Sequence, residues 1–423
     1  MQLQAPRGTK DELPGGIHQW HAVEKVCREV AALAGYREIR TPVFEHTELF
    51  QRGVGDTTDI VQKEMYTFDD KSGRSLTLAP EGTAGAVRAL IENSLYAGAL
   101  PVKLYYIKPI FRYEAPQSGR YRQHHQFGVE IFGAAEPTCD AEVIALLLRV
   151  LTAVGLDGLL VSVNSIGRPT CRGVYHEAMR AFLQEKLHSL CPTCNDRYAR
   201  NPLRILDCKE EKCQAQLADA PLMLDFLCGA CREHFDGLKA ALGALGIPYA
   251  VDPRIVRGLD YYTRTVFEVG MRSASGAPLA VCGGGRYDGL VSALGGPEMP
   301  GLGFGLGLER VLMLLTQKGV IQPEPGQYDT YVAALGVDAR LPALRLTEAL
   351  RGAGIRAEMD HMGRSLKAQF KNADRLGARQ VVIVGGDELF RGMVRIRDMR
   401  TKDEREVPLE AAADAIERSL SHA

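Results

Sequence analysis

Between Ile17 and Gly35 the apolar positions Trp20, Val23, Val26, Val30 and Leu33 recur in steps of three and four. That spacing predicts an amphipathic helix over 17–35 that stops at Gly35. Residues 36–45 read as extended, broken by Pro42. Near residue 110 the period drops to two. Ile110, Arg112 and Glu114 share one face of a first arm. Gln126, Gly128 and Glu130 share a face of a second arm, with Phe127, Val129 and Ile131 pointing the other way. The stretch between, APQSGRYRQ, is polar and holds Pro116 and Gly119. A long antiparallel hairpin is predicted, apolar beneath and polar above, which suits an open site on a sheet.

The most apolar run, 143–156, is too short to cross a membrane and contains Arg149. Residues 170–250 are cysteine-rich, charged and mostly helical in pattern, and are expected to be an insertion. IQPEPGQ (321–327) reads as a linker. Beyond it, short apolar runs alternate with helical patterns, which predicts a small α/β domain over 329–423. The N-terminus has no apolar core of a signal peptide, so a cytoplasmic protein with no membrane partner is expected.

At 423 residues the chain is long enough for two or three domains. Its 51 basic and 52 acidic residues nearly cancel, which excludes a global basic field. A nucleic-acid partner must be met by local patches. One candidate is Arg364, Lys367, Lys371 and Arg375, predicted to form a stripe on one helix face, although such stripes are more often solvated surface.

Arg112, Arg120 and Arg122 fall within eleven residues. Arginine is always charged and offers a rigid donor fork, so this density points to phosphates. VRGLDYYTRTVFEV (256–269) adds Arg257 and two tyrosines. CGGGRYDGL (282–290) and GLGFGLGLERVLMLL (301–315) are glycine-dense, the latter turning into a helix that carries Glu309 and Arg310. Most of those glycines are expected to serve tight packing of a helix on a sheet. Neither segment matches a P-loop or a dinucleotide fingerprint. Any phosphate site must therefore be built from arginines on an antiparallel sheet.

Seven of the ten cysteines lie between Cys171 and Cys231. CPTC and CGAC place Cys191, Cys194, Cys228 and Cys231 in a C-x2-C…C-x2-C pattern, which predicts a structural zinc site. Cys208 and Cys213 are substitute ligands, and free thiols are the alternative.

The hairpin resembles motif 2 of class II aminoacyl-tRNA synthetases. GYREIRTPVFEHTELF (35–50) resembles motif 1, and GLGFGLGLERV resembles motif 3. VRGLDYYTRTVFEV and GGGRYDGL resemble the two signatures of histidyl-tRNA synthetases, as do RGTKDELPG (7–15) and LTLAPEGTAGAVRAL (76–90). The similarity spans essentially the whole chain.

The resemblance implies an α+β fold: an antiparallel catalytic sheet flanked by helices over 1–325, interrupted by the helical insertion, then an α/β anticodon-binding domain. It implies ATP with Mg²⁺, histidine and a tRNA as partners, and a homodimer formed through motif 1. Arg257 and Arg112 would be catalytic. Glu81, Thr83, Gln126, Glu130, Tyr261 and Tyr262 would join them in holding histidine. Arg112, Glu114, Arg120, His124 and Arg310 would hold ATP. The structural alternative for Glu130 is pairing with an arginine across the sheet. His124 stands where the family commonly has an aromatic that stacks on adenine, so ATP binding is expected to survive with altered pH dependence. Cys282 replaces a common alanine and reads as packing. The family generally does not need zinc. A regulatory paralogue of histidine biosynthesis shares the catalytic fold, but lacks the anticodon domain and several substrate residues that this chain keeps. A synthetase for another amino acid would not carry the tyrosine pair in this context.

Overall fold

A computed structural model describes residues 3–55, 58–117, 119–272, 278–320 and 328–421. The chain divides into two compact units, Met1–Gln322 and Pro323–Ala423. The predicted linker 321–327 lies outside the described residues.

The first unit is built on an eight-stranded sheet. In spatial order its strands are Arg37–Glu38, Val102–Phe111, Gln123–Phe132, Gly301–Gly307, Pro278–Arg286, Thr263–Arg272, Leu160–Ser165 and Tyr249–Val251. The six central strands pair antiparallel, and the short edge strands pair parallel. A three-stranded sheet, Phe44–His46, Ser75–Leu78 and Thr67–Asp69, stands apart from it.

The first helix runs Pro14–Leu33 and buries Trp20, Val23 and Val30, as the period predicts. It starts three residues earlier than expected because Pro14 can occupy the first turn, where a missing N–H is no loss. Gly35 ends the segment with φ of +78°, a conformation that disfavours side chains. The same helix packs with Pro137–Ala153, Gly229–Ala244 and Leu308–Gln317 over one face of the sheet, in a core containing Phe127, Val129 and Ile131.

Register explains the glycine runs. Gly303 lies beside Glu130, Gly305 beside Gly128 and Gly307 beside Gln126, all on the upper face. Leu302, Phe304 and Leu306 alternate onto the lower face and join the core. The glycine run 301–307 is thus strand, with the helix beginning at Leu308. Its upper-face glycines do not serve helix packing, contrary to the sequence expectation. A Cβ at Gly303 would strike the Glu130 carboxylate, and one at Gly305 would strike the Gln126 amide. Cys282 packs on the lower face beside Leu306, 5% exposed.

Residues 170–250 are largely helical, with helices at Pro169–Leu183, Pro192–Arg200 and Gly229–Ala244, and they lie inside the first unit. The second unit carries a five-stranded sheet ordered Ala357–Met359, Thr330–Leu335, Gln380–Gly385, Met393–Asp398 and Glu404–Pro408. Its first three strands are parallel and its last two antiparallel. The central strand, QVVIVG, is buried throughout, because helices cover both faces of a parallel sheet.

One ion pair is locked within the first unit. Arg286 and Asp140 are both 0% exposed, with Nη2 2.6 Å and Nε 2.9 Å from Oδ2. Arg286 also donates to the carbonyls of Ala134 and Glu136, joining the strand Pro278–Arg286 to the start of the helix Pro137–Ala153. Removing Asp140 leaves the buried Arg286 with the more distant Asp288, at 3.4 Å, as its counter-ion. Asp140→Ala is expected to destabilise the first unit by about 3–5 kcal/mol. Urea unfolding followed by the fluorescence of Trp20, the single tryptophan, would measure it. A loss below about 1 kcal/mol would contradict the assignment.

Candidate functional site

On the upper face the sheet forms a cleft of ≈ 230 Å³. Glu81, Thr83, Arg112, Glu114, Arg120, His124, Gln126, Arg257, Tyr261, Tyr262 and Arg310 all line it. Eleven residues singled out from separate stretches of sequence therefore meet in one place.

One end is cationic. The Arg112 Nε donates to the Pro80 carbonyl at 2.7 Å, and Arg310 Nη1 donates to the Ala280 carbonyl at 2.7 Å. Arg120 Nη1 lies 3.3 Å from Glu114, and Arg257 Nη1 lies 3.4 Å from Glu268. The Arg257 guanidinium occupies the space a side chain at Gly283 would need. Burial, and then the nearby Arg120 charge, pull the Arg310 pKa down. Arg112, Arg120 and Arg257 also border a wider cavity of ≈ 600 Å³ that extends to Asp59, Arg204 and Lys209. The third arginine of the hairpin, Arg122, is used otherwise: its guanidinium stacks 3.8 Å from the Tyr113 ring centroid. Arg112 and Glu114 lie past the end of the strand Val102–Phe111, not on the ladder as the alternation predicts. Arg112 keeps register through its N–H to the Arg122 carbonyl, 2.8 Å.

The other end holds buried carboxylates. Glu81 accepts the N–H groups of Thr83 and Ala84, both at 2.7 Å, and so caps the helix Thr83–Glu92. Burial still raises its pKa against those two bonds. Glu130 lies just beneath the cleft wall and is 0% exposed. It accepts the Thr83 hydroxyl at 2.7 Å, the Tyr106 hydroxyl at 3.0 Å, and the Tyr287 hydroxyl. Its partners are thus three hydroxyls, not an arginine across the sheet. The polar face is not open at this point, because the helix Thr83–Glu92 brings Thr83 over it. Burial, opposed by the hydrogen bonds of Tyr287 and Thr83, pushes the Glu130 pKa up to about 8. Burial, and then the Glu130 charge, hold the Tyr106 and Tyr287 hydroxyls well above their usual range, so both stay donors. Tyr261 meets the tilted ring of Tyr262 at 4.7 Å and the Tyr287 ring edge-to-face at 5.5 Å between ring centroids.

His124 has its pKa lowered to about 3, by burial and then by the Arg112 charge. The ring is neutral near neutral pH, so it adds no pH dependence there, against the sequence expectation. The neighbouring His125 turns away and meets Glu309 through its backbone N–H at 2.8 Å and its ring.

Tyr106 and Tyr287 were missed in the sequence. Tyr106 pairs with Gly128, and a side chain at Gly128 would strike its ring. A large residue at the right parity opposite a glycine was the available signal.

The expected zinc set is not assembled. Cys191 and Cys194 are grouped with Cys208 and Cys213, while Cys228 and Cys231 are grouped with Cys171. The basic stripe is also changed. Its helix is Leu366–Arg375, so Arg364 precedes it and pairs with Asp360 at 2.9 Å. Lys367, Lys371 and Arg375 remain exposed on the helix.

A family profile described as histidyl-tRNA synthetase matches residues 8–311, and one described as an anticodon binding domain matches 329–419. A histidine–tRNA ligase of Caldanaerobacter subterraneus is 53% identical over 416 residues, 98% of this chain and all of that protein. One from Moorella thermoacetica is 53% identical over 414 residues, 98% of each chain. The crystal structure of apo S. aureus histidyl-tRNA synthetase aligns with a TM-score of 0.84 at 38% identity, over 98% of this chain and all of that one. An antiparallel sheet with arginines gathered on one face, followed by an anticodon-binding domain, is the architecture of a class II aminoacyl-tRNA synthetase. Within that class, the chain belongs to the histidyl-tRNA synthetase family.

The buried Glu130 has a consequence for pH. Its folded pKa stands above its unfolded value of 4.5, so the stability from its protonation is complete below about 4.5 and is lost as pH rises through about 8. Glu130→Gln should remove a downward slope of up to about 1.4 kcal/mol per pH unit within that window. Unfolding free energies of parent and variant across this range test it. Identical slopes would mean that Glu130 does not carry the proton.

Proposed function

We propose that this chain is a histidine–tRNA ligase. It condenses L-histidine with ATP to give histidyl-adenylate and pyrophosphate, then transfers the histidyl group to the 3′ end of its tRNA. The carrying observation is one cleft lined by four guanidinium groups together with the buried Glu81 and a pair of tyrosines. The name of the full-length relatives supports the same reading.

The histidine carboxylate is ionised at neutral pH, so its attack on the α-phosphorus needs no general base. It needs two anions held together and aligned. Arg112 and Arg257 are assigned to that point, between the phosphate and carboxylate ends. Arg120 and Arg310 are assigned to the outer phosphates, Glu114 to the nucleotide, and His124, as a neutral ring, to the adenine. Mg²⁺ would ride chiefly on the ATP phosphates, and Glu114 and Glu268 are the carboxylates near enough to the arginines to meet it.

At the acidic end, Glu81, Thr83 and Gln126 receive the ammonium group. Tyr262, with Tyr261 beside it, faces the imidazole. Glu130 acts on the same ring at the floor, its carboxyl oriented by Thr83, Tyr106 and Tyr287.

We assign 1–325 to catalysis, 170–250 to an insertion within it, and 329–423 to anticodon recognition. Lys367, Lys371 and Arg375 are the RNA-facing stripe. Arg364 is the weakest member, because Asp360 already neutralises it. We assign the enzyme to the cytoplasm, a compartment that holds histidine, ATP and tRNA together. The retained Arg112, Arg257, Arg310, Glu81 and Glu130, with the second unit, favour an enzyme over a regulatory paralogue.

Pyrophosphate exchange across the twenty amino acids tests the activity. Exchange with histidine alone is expected, and none with any amino acid in folded protein would overturn the reading. In the same assay Arg257→Ala should lower exchange by at least roughly 100-fold with an unchanged melting temperature. Near-parental exchange would remove its catalytic role.

A homodimer through the motif 1 segment completes the proposal. Val43, Phe44 and Phe68, in and beside the three-stranded sheet, are 39%, 48% and 46% exposed, an apolar surface that a second copy would cover. Sedimentation equilibrium should return twice the chain mass of 46.3 kDa, falling to one chain in Phe44→Asp. A monomeric parent would contradict this surface assignment.

A further inference from the structure

We propose that Cys191, Cys194, Cys208 and Cys213 bind one structural zinc ion as a tetrathiolate. All four sulfurs lie within 4.8 Å of one another, and the four residues are 7%, 0%, 8% and 0% exposed. With Zn–S bonds near 2.3 Å, a tetrahedral site has edges of about 3.8 Å. The Cys191 and Cys208 sulfurs are 3.9 Å apart.

The backbone is arranged around acceptor sulfurs. The Cys194 N–H donates to the Cys191 sulfur at 3.4 Å, and the Cys191 N–H to the Cys213 sulfur at 3.2 Å. The Glu210 N–H donates to the Cys208 sulfur at 3.5 Å. Donors aimed at sulfur favour thiolates and fix their direction, as outer partners do around metal ligands. Four thiolates this close and this buried need a cation among them. Sulfur-only tetrahedral coordination selects zinc among the common divalent ions, with iron the competitor.

The spacing is C-x2-C, thirteen residues, then C-x4-C, so both pairs fall within ordinary ligand spacing. The second cluster is different. Cys171, Cys228 and Cys231 supply three sulfurs, Cys228 is exposed, and the Arg168 guanidinium lies against Cys231, where it already supplies positive charge.

The zinc would hold a segment that reaches the catalytic cleft. Between Cys194 and Cys208, Arg197 and Arg204 donate to Asp59 at 3.0 and 3.4 Å, and Asn201 donates to Asp260 at 3.1 Å. Asp260 immediately precedes Tyr261 and Tyr262. Arg204, Asp207 and Lys209 form part of the wall of the wider cavity shared with Arg112 and Arg257. That link to catalysis rests on the proposed function, whereas the metal count does not.

The test is the metal content of full-length protein from zinc-supplemented cultures, by inductively coupled plasma mass spectrometry. The parent should carry zinc, and Cys208→Ala and Cys213→Ala should each lack one equivalent per chain relative to it. Cys27→Ala, on the first helix, should match the parent. Taking the difference excludes any ion held by the other three cysteines. Intact parent protects against variants that fail to fold: an organomercurial should release its zinc to a chromogenic chelator. Cobalt exchanged into it should give the charge-transfer and visible bands of a tetrahedral tetrathiolate. Removing the metal should speed tryptic cleavage after Arg200 by roughly tenfold or more. A parent without zinc that takes up no cobalt, a parent carrying iron instead, or tetrad variants with undiminished zinc would each overturn the proposal.

Discussion

Guanidinium groups repel one another, and a cleft that gathers four of them must hold each by something other than the substrate. In this chain each is anchored by the protein itself. Arg310 is fixed by a carbonyl oxygen, Arg112 by a carbonyl oxygen and more loosely by Glu114 at 3.8 Å, Arg120 by the same Glu114, and Arg257 by Glu268. The carbonyls come from Pro80, in the loop before the helix Thr83–Glu92, and Ala280, on the strand Pro278–Arg286. A carbonyl orients an arginine without neutralising it, so the charge stays available to an anion. Full pairing with carboxylates would have produced a stable surface with nothing left to bind. The glycines follow from the same constraint, since Arg257 fits only where Gly283 leaves the sheet bare.

The opposite end obeys the reverse rule. There the carboxyl groups of Glu81 and Glu130 are buried and hydrogen-bonded, and neither has an ion pair with a basic side chain among the described residues. Glu81 uses two backbone N–H groups at the start of a helix, and Glu130 uses three hydroxyls. Hydroxyls and N–H groups offset part of the desolvation cost and leave the site dependent on its ligand for the rest.

How much of this was legible follows the range of the forces involved. The helix from Pro14 and the hairpin strands were readable, because a period of three to four or of two is a local property. The residues named through family motifs come from separate stretches, and eleven of them line one cleft. The burial of Glu130 was not, because its cover, the helix Thr83–Glu92, arrives from 47 residues away. Nor was the fate of Arg122, whose stacking on Tyr113 depends on the turn between strands. Arg364 looked like part of a helical stripe because spacing alone cannot tell where a helix starts. The Asp360 carboxylate takes its N–H and side chain before Leu366, and the helix begins after that turn.

The cysteines show why similarity between short motifs is a poor guide to partnership. Joining Cys194 to Cys228 would close a loop of 33 residues, and joining it to Cys208 closes one of 13. The entropy difference is only about 0.8 kcal/mol, too small to decide the pairing. What decides it is the path of the chain between the two thiols. The helix Pro192–Arg200 runs out from Cys191, and the short 3₁₀ segment Pro202–Asp207 brings the chain back to Cys208. The turn between them is pinned by Asn201 on Asp260, with Arg197 and Arg204 on Asp59. CGAC resembles CPTC in sequence, yet its Cys228 begins the helix Gly229–Ala244, whose far end packs into the main core through Leu238 and Leu242. That packing commits Cys228 and Cys231 to a separate sulfur group beside Cys171, whose sulfur accepts the Cys228 N–H at 3.3 Å. The pairing of thiols is thus set by the hydrophobic commitments of the helices that carry them.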